Sequence, residues 1–396
     1  MDKINFFPDD LNIQSQKIIL RLDFNVPLKN KKIIDDTRIM LCLPFIKELI
    51  GKRAKIIIIS HLGRPKGVKD TSVSLVPVYK YLKEKLETNV YFYIGNFDEE
   101  VKDKFSHLKE GDVILIENIR YFKEETDDDE NFSKKLASLG DIYINDAFSC
   151  SHRKQSSIHK ITKFINKKFA GPLLKKELDA INVIINNKRE PVTCIIGGSK
   201  ISTKINVIIK LIERINNFVI VGAMANNFFI YKNFNVGKSL IESNSKEVVE
   251  KIYDKAKKNN CKIIIPEDCV VGTSFEGGGV NKNLDQITKN EIILDIGPNS
   301  IKKIKQVIDQ SRTVLWNGPA GYFENKNFLN GTMSIAEAIS KNTNEKTLIS
   351  VLGGGDTLAA ISRSKKKLSF SHLSTAGGAF LEYLEGKDLP GISVLK

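Results

Sequence analysis

Short runs of apolar, β-branched residues alternate with helical stripes along nearly the whole chain. Ile18–Phe24, Lys55–Ser60, Val90–Ile94, Val113–Glu117 and Asp141–Asn145 read as one series of strands. Val192–Gly197, Phe218–Gly222, Lys262–Pro266, Thr313–Asn317 and Thr347–Gly353 read as a second. Most are apolar at every position, as in Ile56-Ile57-Ile58-Ile59. Strands covered by helices on both faces look like this, and they belong to parallel sheets. Between them lie segments such as Arg38–Ile50, where Ile39, Leu43, Ile46 and Ile50 form one helical stripe. The alternation predicts an α/β chain with two doubly wound domains.

Length supports the division, because 396 residues exceed what one compact core usually holds. The boundary is expected near Pro172–Asn187, where Leu174, Leu178, Ile181 and Ile185 make a helical stripe followed by the polar break Asn186–Pro191. By pattern alone this helix is either a lever between lobes or an ordinary crossover. Ligands of such folds bind beyond the carboxyl ends of the strands. That is where the unusual residues of this sequence fall.

The two halves end their strands differently. The first supplies Arg21-Leu22-Asp23-Phe24-Asn25, Ser60-His61-Leu62-Gly63-Arg64-Pro65, Asn118-Ile119-Arg120, Asn145-Asp146 and His152-Arg153. Guanidinium groups in this number suit a small anionic substrate. Arg21 lies inside its strand and is expected to be structural, while His61 is either a satisfied core residue or a ligand contact. The second half supplies Gly197-Gly198-Ser199-Lys200, Trp316-Asn317-Gly318-Pro319, Gly353-Gly354-Gly355-Asp356-Thr357 and Ser374-Thr375-Ala376-Gly377-Gly378. Glycine-rich turns before helices expose N–H groups to phosphates. Asp356 is then a helix cap or a carboxylate for a magnesium ion on those phosphates. Lys200 and Lys204, four apart, are expected on one face of a helix opening after Gly198, reaching back to the same phosphates.

Other signals mostly exclude. No GxGxxG follows a strand, and Gly237-Lys238-Ser239 lacks the first glycine of a Walker loop, since position 232 is Lys232. There is no nucleophile elbow and no set of metal-spaced histidines. Five scattered cysteines without a CxxC pair suit reduced thiols in a cytoplasmic protein and argue against zinc. No run is long enough to span a bilayer, and the N-terminus does not read as a signal peptide. The net charge of +14 raises a nucleic-acid partner. However, the excess lysines are spread along the chain without interleaved aromatics, so none is expected. The residues alone therefore describe a two-lobed phosphotransferase acting on a small anion and a nucleotide. A non-catalytic nucleotide-binding scaffold and a basic nucleic-acid binder are the competing readings.

The combination RLDFNVP (21–27), DDTR (35–38), SHLGRP (60–65), ENIRYFKEE (117–125), YINDAF (143–148), GGSKIS (197–202), LWNGPAGYFE (315–324), GGGDT (353–357) and STAGGA (374–379) resembles the phosphoglycerate kinase family, in its order and over essentially the full chain. The resemblance implies two Rossmann-like, doubly wound parallel-sheet domains joined by a hinge helix. Residues 1–171 would hold 3-phosphoglycerate, 172–190 would connect the lobes, 191–380 would bind nucleotide, and 381–396 would return to the first domain. It implies a monomer that closes during reversible transfer between 1,3-bisphosphoglycerate and Mg-ADP. Asp23, Phe24, Asn25, Arg38, His61, Leu62, Gly63, Arg64, Arg120 and Arg153 would meet the phosphoglycerate. Gly198, Lys200, Lys204, Asn317, Glu324, Gly353, Gly354, Gly355, Asp356 and Thr357 would meet the nucleotide, with Asp356 on Mg²⁺. Arg38 and Lys204 would act on the transferred group. Departures are Ser199 for alanine, Thr203 for aspartate, and Ala376 within a usual triple glycine, where a positive φ would disfavour alanine.

Overall fold

The computed structural model describes residues 4–65, 67–98, 100–186 and 189–396. Asn187 and Lys188, within the expected connecting segment, lie outside them. Two six-stranded parallel sheets carry the α/β fold. Across the first, the order is Val90–Tyr93, Val113–Ile116, Lys55–Ile59, Lys17–Arg21, Ile142–Asn145 and Lys167–Ala170. Across the second it is Lys262–Ile264, Asn217–Ile220, Val192–Ile196, Thr313–Asn317, Ile349–Gly353 and His372–Ser374. Every neighbouring pair is parallel, as with Arg21 beside Ile59 and Asn145 and Asn317 beside Ile196 and Gly353.

The all-apolar strands are buried on both faces: Ile56, Ile57, Ile58 and Ile59 are fully inaccessible. The helix Thr37–Gly51 covers that sheet with Ile39, Cys42, Leu43, Phe45, Ile46 and Leu49. Each such large aliphatic side chain contributes about 1.5–3 kcal/mol on burial.

The chain divides into two compact units. One contains the described residues up to Leu178 together with Asp388–Lys396, and the other is Asp179–Lys387. The division falls inside one helix, Pro172–Ile185. Its buried stripe is Leu174, Leu178, Ile181 and Ile184, so the last inward position is Ile184 and not Ile185. The buried Asp146 carboxylate accepts the Leu174 N–H at 2.9 Å near the start of this helix. The C-terminal segment is tied into the first unit, where Gly391 N donates to Ser151 O at 2.9 Å and Asn145 Nδ2 to Gly391 O at 3.0 Å.

Several strands have no counterpart in the apolar pattern. Lys167–Ala170 and His372–Ser374 are short sheet edges. Asp268–Gly272, Val280–Asn283 and Ile292–Ile296 form a separate antiparallel sheet. Val280–Asn283 is mostly polar and largely exposed, so it carries no apolar signal.

Candidate functional site

In the first unit the residues of interest follow the strand ends. Leaving Lys17–Arg21, the chain turns at Asp23, whose Oδ1 accepts Asn25 N at 3.0 Å. Arg38, in the first turn of Thr37–Gly51, pairs with Asp23 Oδ2. Ser149 Oγ donates to the same oxygen. Asn25 Oδ1 accepts Gly63 N at 2.9 Å, and Gly63 O accepts Arg120 Nη1 at 2.8 Å. Asn118 Nδ2 donates to Leu62 O at 2.7 Å and Val73 O at 2.8 Å, fixing the loop that presents Arg64. Arg64 is exposed. The buried Arg120 keeps its Nε without a partner, and Arg153 Nε meets His152 Nε2 at 3.1 Å. Phe24 and Leu62 are buried in the core, which leaves only their backbones for a ligand. Arg21 is fully buried, and its guanidinium is committed to Ser157 Oγ at 2.9 Å and to Leu22 O.

Positive charge dominates this half. Burial lowers the His61 pKa well below its ordinary value; Asp23 opposes this, while Arg120, Arg21 and Arg38 reinforce it. The imidazole is therefore neutral. Burial would raise the Asp23 pKa, but the Arg38 guanidinium and the hydrogen bonds from Ser149 and Asn25 oppose it, and the net shift is downward. Asp23, His61 and Cys150 offer donor atoms within 4.8 Å of one another. The three guanidinium groups that act on His61 oppose a cation there.

In the second unit Gly197–Lys204 is a loop, and the helix begins only at Ile205 with Lys204 at its N-cap. The expectation that Lys200 and Lys204 share a helical face is thus corrected. Lys200 is an exposed loop residue. Lys204 folds back over the strand end, with Nζ 2.8 Å from both Gly197 O and Asn317 Oδ1. The turns themselves meet backbone to backbone. A Cβ on Gly197 would lie 2.2 Å from Pro319 O, and one on Gly318, at φ +102°, would lie 2.3 Å from Gly197 O. Burial lowers the Lys204 ammonium to about 8, with Cys194 and Asp356 pulling the other way.

The strand Ile349–Gly353 runs into the helix Gly355–Ile361 through Gly354, at φ +99°. Thr357 Oγ1 accepts Gly318 N at 2.7 Å and donates to Gly353 O at 3.0 Å, locking two turns together. The cap position is Gly354, and Asp356 lies in the first turn. Its carboxylate is exposed and makes no capping bond, which removes the capping role. An exposed carboxylate oxygen in the first turn of a helix is the kind of hard donor that fits magnesium. Ala376 is spared strain, because the positive φ (+55°) falls on Gly377.

Asp356, Glu324 and Gly198 line a cleft of about 400 Å³ whose other walls include Phe229, Leu240, Phe275 and Leu294. Its lining mixes apolar side chains with a few polar ones, the usual make-up of a small-molecule site. Nothing in the sequence marks these apolar wall residues, because single side chains from a helix, loops and the small sheet leave no local signature. The structure gathers Asp23, Asn25, Arg38, His61, Gly63 and Arg120 in one unit. Gly198, Lys204, Asn317, Gly354, Asp356 and Thr357 gather in the other.

A family model described as phosphoglycerate kinase matches residues 8–387. The phosphoglycerate kinase of Wolbachia pipientis wMel is 43% identical over 390 residues, covering 98% of each chain. That of Dictyoglomus turgidum is 43% identical over 389 residues, covering 98% of this chain and 97% of its own. The solved phosphoglycerate kinase from Coxiella burnetii superposes with a TM-score of 0.87 at 36% identity, covering 98% of this chain and 97% of its own. That from Pyrococcus horikoshii OT3 gives 0.83 at 28% identity, covering 98% of both.

Proposed function

This chain belongs to the phosphoglycerate kinase family, and we propose that its two half-sites divide that reaction between them. The activity is that of a phosphoglycerate kinase, a phosphotransferase whose general role is in glycolysis. A phosphoryl group passes reversibly between the acyl phosphate of 1,3-bisphosphoglycerate and ADP. In our reading the phosphoglycerate is held by Asp23, Asn25, Arg38, His61, Gly63, Arg64, Arg120 and Arg153, with backbone atoms of Phe24 and Leu62. The nucleotide takes Gly198, Lys200, Lys204, Asn317, Glu324 and Gly353–Thr357.

The observation that supports this best is the uneven distribution of charge. One unit holds neutral His61 among guanidinium groups, with Arg120 Nε buried and unpartnered. The other holds the partly buried Lys204, whose charge feels Asp356, and the exposed Asp356 carboxylate lines a cleft of nucleotide size. The attacking group is already an anionic oxygen, so no general base is needed, and the enzyme's task is positioning and stabilising spreading charge. Arg38 and Lys204 are the cations we assign to the transferred group. Mg²⁺, held through Asp356, would neutralise nucleotide phosphates. Lys204 Nζ already has two oxygen partners at 2.8 Å, Gly197 O and Asn317 Oδ1. Its ammonium is therefore aimed before substrate arrives.

We further propose a monomer in the cytoplasm acting on small molecules, with no nucleic-acid partner. All five cysteines are free and buried, in keeping with a reducing compartment. Among the described residues no helix is long and apolar enough to cross a membrane. A coupled assay with 3-phosphoglycerate and ATP, with and without Mg²⁺, tests the proposal. Turnover that needs Mg²⁺ is expected, and absent turnover with both substrates and Mg²⁺ would refute it.

A further inference from the structure

We infer that Glu242 is a positioning residue of the nucleotide half-site, acting through the Ile201–Ser202 turn on Lys200 and Lys204. The inference rests on the functional reading above. Glu242 stands forty residues beyond this turn, yet its carboxylate gathers three of the turn's donors. Oε2 accepts Ile201 N at 2.6 Å and Ser202 N at 3.0 Å, and Oε1 accepts Ser202 Oγ at 2.5 Å. The turn leads directly to both lysines. Lys204 N donates to Ile201 O at 3.0 Å, and Thr203 Oγ1 donates to Lys200 O at 3.0 Å.

Glu242 is itself held from behind. Its N–H donates to Asn227 Oδ1 at 3.0 Å, and Asn226 Nδ2 donates to Leu240 O at 2.9 Å. Both asparagines belong to the helix Ala225–Tyr231. Leu240 lines the cleft that also contains Gly198, Glu324 and Asp356. One short segment, Leu240–Glu242, thus joins the cleft wall to the lysine-bearing loop. Burial alone would raise the Glu242 pKa, but the Ser202 and Ile201 hydrogen bonds and the Lys200 charge outweigh it. The carboxylate is therefore ionised at neutral pH, and charge-assisted bonds of this kind are the stronger ones.

A loop of eight residues between strand and helix has many conformations to lose. If it is competent to bind only part of the time, apparent affinity falls by that fraction. Glu242 would remove this loss by holding the loop ready before nucleotide arrives.

The test is Mg-ADP binding by calorimetry, with KM for both substrates, in Glu242→Gln and Ser202→Ala. Glutamine keeps the length and an acceptor for the two N–H groups, but it loses the charge and turns an NH₂ group toward Ser202 Oγ in place of an acceptor. We expect Glu242→Gln to weaken Mg-ADP binding about tenfold, equivalent to a competent fraction near one tenth. Its KM for 3-phosphoglycerate should stay within about twofold, because that half-site is untouched. Ser202→Ala, which removes one bond of the three, should show a smaller change in the same direction. A purely structural role would lower the yield of folded protein without moving the affinity of what remains. Wild-type chain lacking phosphoryl transfer would sink the functional reading itself. An active wild type, with both variants binding Mg-ADP as the wild type does, would overturn the inference alone.

Discussion

Asp295 allows a quantitative test of how the nucleotide unit is built. It is buried, with Oδ2 accepting Gly331 N at 2.8 Å and Oδ1 accepting Ile296 N at 2.9 Å. Gly321 packs so closely that a Cβ on it would lie 2.4 Å from Oδ1. Burial pushes the Asp295 pKa from the ordinary 3.8 up to about 7, against the pull of the Gly331 and Ile296 N–H groups. A carboxyl raised in the folded state stabilises fully below its unfolded pKa, and that stability is lost as pH rises through the folded pKa. The gap corresponds to ~4 kcal/mol over the whole range, of which about 2 to 3 kcal/mol falls between about pH 5 and about pH 8.

Asp295→Asn keeps the shape and one acceptor but cannot titrate. It loses a hydrogen bond at every pH, a constant penalty of about 1 kcal/mol or more. The difference between wild type and variant should therefore shrink, or change sign, as pH rises. Trp316 is the single tryptophan of the chain and is fully buried in the same unit, so its fluorescence reports urea unfolding of that unit. A wild-type-to-variant difference that stays constant from about pH 5 to about pH 8 would refute the reasoning.

Three further outcomes follow from the site. Arg38→Ala should lose chiefly kcat, on the order of 10³-fold if its guanidinium meets the transferring group, whereas Arg64→Ala should raise KM for 3-phosphoglycerate more; steady-state kinetics at saturating substrate separates the two. Lys204 carries its charge only below about 8, so kcat should fall as pH rises through that value, and a flat profile to about pH 10 would remove Lys204 from the rate. Asp356→Asn should weaken Mg-nucleotide use while leaving Tm near that of the wild type, since the side chain caps nothing; equal losses of stability and activity would make it structural.

The parallel strands were legible because their burial on both faces leaves unbroken apolar runs. Thr313–Asn317 falls where the pattern puts it. Elsewhere ends shift by one to three residues, as where the strand stops at Arg21 and Phe24 enters the core from the following loop. Val280–Asn283 was illegible because an exposed strand of Val-Asn-Lys-Asn needs no apolar side. The strand-end glycines and arginines stood out because ordinary packing seldom asks for them there. The loop form of Gly197–Lys204 did not, since two lysines four apart mimic a helical face. The Ile201–Ser202 turn of that loop is held by Glu242, and nothing local in the sequence links positions 202 and 242.

The central claim is that acid and nucleotide bind to different units through different residues. Calorimetric titration of each ligand into Arg64→Ala and Asp356→Asn tests it most directly. The account predicts that Arg64→Ala loses affinity for 3-phosphoglycerate and binds Mg-ADP as the wild type does, while Asp356→Asn does the reverse. Equal loss of both ligands in both variants would contradict it.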